Sequence, residues 1–237
     1  MNLRFASFSH IGPRSSNQDR ILVPSTAECA LCVAAIADGI GGSDGGDLAA
    51  KIAIDEVISF DGDMERLESV FISSVEKMKL KSISDVGMLK MGTTLSVAVI
   101  GSGVVRTAHV GDTRIYHIRG SGIRTLTVDQ TEVAELLRRG VLSESQARRY
   151  GRKGVLLSAL SPAGNYEIQY NEAELSPGDR LLLLSDGVYQ KLSRGAILNR
   201  SLGHEDIDDF VKSIEQEVEI RKPSDNYSAV GLEIVSL

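Results

Sequence analysis

Aspartates recur where apolar runs meet turns, and this pattern constrains the fold more than any other feature of the chain. Asp38 follows the apolar run in AAIADG, Asp112 sits in TAHVGDTR, Asp186 follows LLLLS in LLLLSDG, and Asp225 precedes the last apolar run in KPSDNYSAV. Asp19, in RSSNQDR, stands just before another strand-like run. Any one of them is explained by the turn-forming habit of Asp and Asp-Gly. The set is harder to explain that way. If the strands share a sandwich, their ends can converge at one edge, where gathered carboxylates repel unless a cation neutralises them. Oxygen-only ligation suits hard divalent ions such as Mg²⁺ or Mn²⁺. Two such ions sharing a bridging carboxylate can generate hydroxide and clamp an in-line phosphoryl displacement.

The rest of the chain supplies the strands this needs. Leu3–Ser9, Ile21–Val23 and Ala30–Ala37 read as strands, followed by two helices. The first helix spans Asp47–Ile58; the second carries Leu67, Val70, Phe71, Val75 and Met78 on one face. A β-rich middle follows at Thr93–Ile100, Val104–Val110, Arg114–Ile118 and Arg124–Thr127, joined by short glycine-containing links of the hairpin kind. Short helices are expected at Glu132–Arg139 and Glu144–Tyr150, the second opened by a Ser143/Gln146 capping box. Strands return at Tyr166–Glu174, Arg180–Ser185 and Ala229–Val235. A helix before the last of them shows Ile207, Phe210, Val211, Ile214 and Val218 on one face. Antiparallel hairpins with segregated helices predict an α+β layered fold. With no linker-like stretch and strands near both ends, 1–237 is expected to form a single domain.

Composition narrows the function. The 237 residues carry a net charge of −6 without a basic stripe, which argues against a nucleic-acid binder. The apolar runs are too short to span a bilayer, and MNLRFASFSHIGPR lacks the apolar core of a signal peptide, so a cytoplasmic protein is expected. Cys29 and Cys32 form a CxxC at the start of an apolar strand with no second ligand pair, which predicts packed structural thiols. The glycines after Asp38 (ADGIGGSDGGD) suggest a phosphate cradle, but the run from Gly39 misses the sixth glycine of GxGxxG and lacks a Gly-Lys-Ser/Thr. Room for a close backbone approach and an immediate helix start explains them better. Arg14, in a polar loop before NQD, has the planar fork that binds phosphate in a bidentate way. No Ser/His/Asp triad can be argued, and His10, His109, His117 and His204 are expected as packed or surface side chains.

Six blocks in order carry a family signature: R-x-x-NQD (Arg14 to Asp19), ADGIGG (Ala37 to Gly42), MGTT (Met91 to Thr94), VGDTRIY (Val110 to Tyr116), LLLLSDGV (Leu181 to Val188) and SDNYSAV (Ser224 to Val230). Over about Arg4 to Val235 the chain resembles the compact bacterial members of the PPM/PP2C metal-dependent protein serine/threonine phosphatases. The resemblance implies a four-layer α-β-β-α sandwich, two central antiparallel sheets flanked by helices, with a binuclear Mn²⁺/Mg²⁺ centre at one edge. Asp38 would bridge both ions, the Gly39 carbonyl would complete one site, and Asp186 and Asp225 would hold the other ion. Asp112 would join the SDG aspartate in a weaker third site. Asp19 would hydrogen-bond metal-bound waters, and Arg14 would bind the substrate phosphate. The nucleophile implied is the bridging water, so no phosphoenzyme is expected. Phosphorylated Ser/Thr proteins would be substrates, a Ser/Thr kinase the opposing partner, and the working form a monomer.

Three departures stand out. Ile40 occupies the place of a histidine proposed as general acid in eukaryotic members, Gln130 stands where the family often has His, and RKGVLLSALSPAGN replaces a common Arg-Ala-Leu-Gly run in the flap. The flap borders the active site and influences substrate choice. The competing expectation is a module of the same fold with a non-catalytic or dedicated regulatory phosphoprotein-binding role.

Overall fold

The computed structural model describes residues 1–28, 30–40 and 45–237, with only the backbone of Met64. Gly41 and Gly42 of the ADGIGG block, and Ser43, Asp44 and Cys29, lie outside the described residues.

Successive residues of a strand face opposite ways, so a strand covered on both faces is apolar throughout. In β3 (Leu31–Ile40), Ala34 and Ile36 face one side while Ala35 and Ala37 face the other, and all four are buried. β5 (Leu95–Gly101) divides Ala98 and Ile100 from Val97 and Val99 in the same way. β10 (Arg180–Leu184) divides Leu181 and Leu183 from Leu182 and Leu184. One set from each strand meets in a core between two sheets. The opposite faces of β3 and β5 pack with α1 (Gly45–Ile58) and α2 (Leu67–Ser84). That of β10 packs with α6 (Arg194–Gly203) and α7 (Ile207–Ile220).

The first sheet runs β1 (Asn2–His10), β11 (Tyr227–Ser236), β10, β7 (Arg114–Arg119), β8 (Gly122–Thr125). The second runs β2 (Asp19–Leu22), β3, β5, β6 (Val104–Val110), β9 (Gln169–Glu174), with β4 (Gly92–Thr93) paired to β3. All these pairings are antiparallel. The result is the α-β-β-α sandwich expected from the sequence. Crossing from one sheet to the other are α3 (Glu132–Arg138) and α4 (Glu144–Ala147), the latter closed by the Ser143/Gln146 capping box.

Several local features differ from the sequence expectation. β3 continues past Ala37 to Ile40 and β2 begins at Asp19, so Asp19 and Asp38 are cross-strand partners rather than turn residues. The 185–204 region holds two helices, α5 (Asp186–Tyr189) and α6; α6 buries only Ile197, too little for an amphipathic period to show. β9 starts at Gln169 instead of Tyr166, and α4 stops at Ala147 instead of Tyr150. Cys32 is buried and disulfide-bonded, which corrects the expectation of a free packed thiol there. No helix among the described residues is long and apolar enough to cross a membrane.

Candidate active site

Two sheets packed face to face bring the ends of β2, β3, β10 and β11 to one edge, and each carries an aspartate there. Asp19 opens β2 directly opposite Asp38 of β3. Asp186 is the first residue of α5, straight after β10, and Asp225 lies two residues before β11. Asp112 occupies the turn between β6 and β7. The backbone at Asp38 is fixed by neighbours from the MGTT block. Thr94 Oγ1 accepts the Asp38 N–H at 2.9 Å, while Thr93 Oγ1 and the Thr94 N–H donate to the Asp38 carbonyl at 3.0 and 2.9 Å. At Gly39 a Cβ would lie 2.4 Å from the Gly46 carbonyl oxygen and 2.9 Å from that of Gln18, so no larger residue fits.

The electrostatics show how close the carboxylates are. Burial first, then the charges of Asp19, Asp186, Asp112 and Asp225, push the Asp38 carboxyl well above the ordinary range. Asp38 is therefore the group that feels all four others. Burial, then Asp112, Asp225 and Asp19, raise Asp186 to about 7. Asp112 is raised to about 6, by burial and by Asp129. Asp19 is also raised to about 6, chiefly by burial, although the hydroxyls of Ser185 and Ser228 oppose this. It is 1% exposed, and its Oδ1 is a buried oxygen with no hydrogen-bond partner. A buried carboxylate oxygen without a protein partner, amid repelling acids, is suited to a divalent cation or its bound water.

The residues therefore fit divalent ions. Asp38, Asp186, Asp225 and Asp112 supply the oxygen ligands expected for Mg²⁺ or Mn²⁺. Among the described residues these aspartates do not bring three oxygens within 4.8 Å of one another, so a cation there completes its shell with water or backbone carbonyls.

Other side chains that hold this edge in place carry no sequence signal of their own. Ser185 Oγ donates to Asp19 Oδ2 at 2.7 Å and accepts the Ser228 N–H at 2.9 Å, so this hydroxyl is engaged on both sides. Asn226 accepts the Gln18 N–H and donates to the Ile11 and Ser16 carbonyls, tying the RSSNQD loop beside Asp225. Tyr189 donates to Asp112 Oδ2 at 3.3 Å, and burial followed by Asp112 and Asp129 raises its hydroxyl, which keeps it a donor. Arg114 stacks on the Tyr189 ring at 3.7 Å and is held by a bidentate pair to Asp129 at 2.9 and 2.6 Å. Gln190 Nε2 donates to Asp186 Oδ2 at 2.7 Å. Ser185 and Asn226 fall inside the LLLLSDGV and SDNYSAV blocks, beside Asp186 and Asp225, but nothing local points to these contacts.

Arg14 is exposed at the rim, with Nη2 2.5 Å from Asp225 Oδ2. Gln130 replaces the family's frequent His by binding backbone on both sides: its Oε1 accepts the Gly111 N–H and its Nε2 donates to the Glu167 carbonyl. His109 lies buried against Ser96 and the Gly111 carbonyl, with its ring lowered to about 4 by burial, as a packed histidine. His117 is likewise buried, on Asp179. A cavity of about 680 Å³ opens beside Asp112 and Tyr189 and is lined also by Leu137 of α3 and by Arg148 and Lys153 of the flap region.

Comparison with known proteins gives a consistent answer. The family description "Protein phosphatase 2C" matches residues 8–225. The chain is 33% identical over 163 residues to the serine/threonine phosphatase stp of Listeria monocytogenes, a match covering 65% of each chain. A serine/threonine phosphatase from S. agalactiae superposes with a TM-score of 0.87 at 26% identity, covering 98% of this chain and 99% of that one. The catalytic domain of the phosphatase PstP, in complex with two manganese ions, superposes with a TM-score of 0.86 at 25% identity, with 99% of both chains covered. The family match spans most of the chain and the sandwich superposes on solved phosphatases over nearly its whole length: the chain belongs to the protein phosphatase 2C family.

Proposed function

We propose that the chain hydrolyses phosphate monoesters on serine and threonine side chains of proteins, opposing a protein Ser/Thr kinase. The observation that carries this is the gathering of Asp19, Asp112, Asp186 and Asp225 around Asp38, with Asp19 Oδ1 left without a partner. Two Mn²⁺ or Mg²⁺ ions, and a weaker third at Asp112 and Asp186, complete the site in this reading. Bound divalent ions supply Lewis acidity that activates water and neutralises phosphate charge.

The chain's own groups have separate tasks. Asp38, with the Gly39 carbonyl, Asp186 and Asp225 hold the ions; Asp19 orients water through its free oxygen. Arg14 leaves Asp225 to grip the substrate phosphate, its planar fork meeting two oxygens at once. Ser185 is occupied on both sides, so direct attack by water is the consistent chemistry, without a phosphoenzyme. Ile40 offers no proton, and solvent at the open edge protonates the leaving alkoxide. Pairing of β1 with β11 supports 1–237 acting as one domain, and we take it to act as a cytoplasmic monomer.

The test is hydrolysis of a phosphothreonine peptide with Mn²⁺, with EDTA, and by Asp38→Asn. Activity that depends on Mn²⁺ and falls by several orders of magnitude in the variant is expected. Equal rates for the Mn²⁺-loaded wild type and the variant would overturn the proposal.

A further inference from the structure

A second set of ligand-type side chains converges where α7 crosses β1 and β11. His10 ends β1 opposite Tyr227, the first residue of β11. Glu215 and Glu219 lie one turn apart on α7, so their carboxylates leave the same face. Among the described residues, this is the one group of three His, Cys, Asp or Glu whose donor atoms all lie within 4.8 Å of one another. We propose that His10, Glu215 and Glu219 form a second metal site, selective for a zinc-class transition ion over Mg²⁺.

The donor chemistry sets the selectivity. One imidazole nitrogen with two carboxylates is a mixed N/O set that suits Zn²⁺, whereas the oxygen-only aspartate edge suits Mg²⁺ or Mn²⁺. A tetrahedral ion with bonds of about 2.1 Å needs ligand atoms roughly 3.4 Å apart. Small side-chain rotations reach that spacing, with the His10–Glu215 hydrogen bond opening as the ion enters. Glu219 is solvent-exposed, which leaves the fourth position to water.

The charge balance points the same way. Glu217, on another face of the same helix, is satisfied by Arg200 at 2.6 Å and Arg221 at 2.7 Å. Glu215 and Glu219 have no lysine or arginine partner among the described residues; Glu215 meets His10, and Glu219 meets the Tyr227 hydroxyl at 3.2 Å. Two carboxylates facing one imidazole without a fixed counter-cation make a place for a mobile one.

The site is also held in shape. The His10 ring stacks on Tyr227, centroids 5.0 Å apart, and on Phe8, 6.0 Å apart, in a three-ring cluster that holds it in place. The Tyr227 hydroxyl donates to Glu219 Oε1 at 3.2 Å and so orients that carboxylate. Such outer hydrogen bonds typically tune a metal site by ten- to a hundredfold. An ion here would pin α7 to two strands whose continuations carry Arg14 and Asp225. Arg14 N bonds the Ile11 carbonyl, and Asn226 Nδ2 bonds the same oxygen.

The test is equilibrium dialysis against Zn²⁺ in saturating Mg²⁺, with metal analysis of the full chain as wild type, His10→Ala and Glu219→Gln. Wild type should retain one zinc equivalent more than either variant, with affinity at this site at least about tenfold weaker in Glu219→Gln. At a hundredfold excess over Kd, zinc should raise the wild-type Tm by about 5 °C more than that of Glu219→Gln. Exposed Glu219 makes that variant safe to fold, and unchanged Mg²⁺-supported hydrolysis confirms it. The extra equivalent should persist in Asp38→Asn; its loss there would assign the ion to the aspartate edge and overturn the proposal. Equal zinc counts and affinities in wild type and both variants would overturn it as well.

Discussion

Replacing Asp19 by Asn tests the electrostatic account of the edge. In the metal-free protein, burial raises Asp19 from an ordinary 3.8 to about 6. A carboxyl raised on folding contributes full relative stability below its unfolded pKa and loses it as pH rises through the folded value. Over 2.2 units at about 1.4 kcal/mol per unit, the wild type carries a penalty of about 3 kcal/mol at pH 8 and about half that at pH 5. Asn has the same shape and no charge, so it escapes the penalty. Its amide, placed at the unpartnered Oδ1 position, costs on the order of 1–3 kcal/mol, but that cost does not vary with pH. The pH-dependent part is therefore the clean observable. Thermal melts in EDTA should show Asp19→Asn gaining on the wild type by on the order of 1 kcal/mol between pH 5 and pH 8, a few degrees for a chain of this length. Saturating Mn²⁺ should reverse the order at pH 8, because the ion rewards the ionised acid. A variant-to-wild-type difference that is flat with pH would refute the reasoning.

Arg14→Ala should raise KM for a phosphothreonine peptide roughly ten- to a hundredfold, the worth of a charge-assisted bidentate pair, with Mn²⁺ affinity unchanged by calorimetry. At Gly187 a Cβ would sit 2.0 Å from the Asn226 carbonyl oxygen, so Gly187→Ala should displace α5 and Asp186, costing about 1–3 kcal/mol in urea melts and most of the Mn²⁺-dependent activity. Burial alone would raise Asp179, yet bonds from Arg119, His117 and the Ser176 N–H hold it below the ordinary range. Its stabilisation is thus present above the ordinary carboxylate pKa and fades as pH falls through the folded value; Asp179→Ala should cost about 3 kcal/mol at pH 7 and less at pH 3. Phe210, fully buried in the helix-covered face of the first sheet, should cost about 3–5 kcal/mol on truncation to Ala without changing KM.

Residues whose role follows from local chemistry were legible in the chain itself. The unbroken apolar runs Ala34–Ala37 and Leu181–Leu184 announce strands covered on both sides, and the aspartates that follow stand out against them. Ser185 and Asn226 were not legible, because each acts on a residue 166 or 208 positions away and only the closed sandwich brings them together. His10 and Glu215 meet across 205 positions for the same reason. Cys32 illustrates a different limit: spacing alone does not tell a packed thiol from a bonded one, since both are buried and small.

Arg14 and Asp225 meet across 211 positions, one just after the first strand and the other just before the last. Contacts this distant in sequence are slow to form, since the loop they close must be ordered before it is rewarded. The contact between Arg14 and Asp225 therefore arises only once β11 has slotted between β1 and β10. A ribosome-bound or C-terminally clipped chain carries Arg14 and Asp38 but lacks Asp225 and the strand that follows it. On the proposed function, hydrolytic competence is a late event in the life of each molecule, and a partly made copy is a silent one.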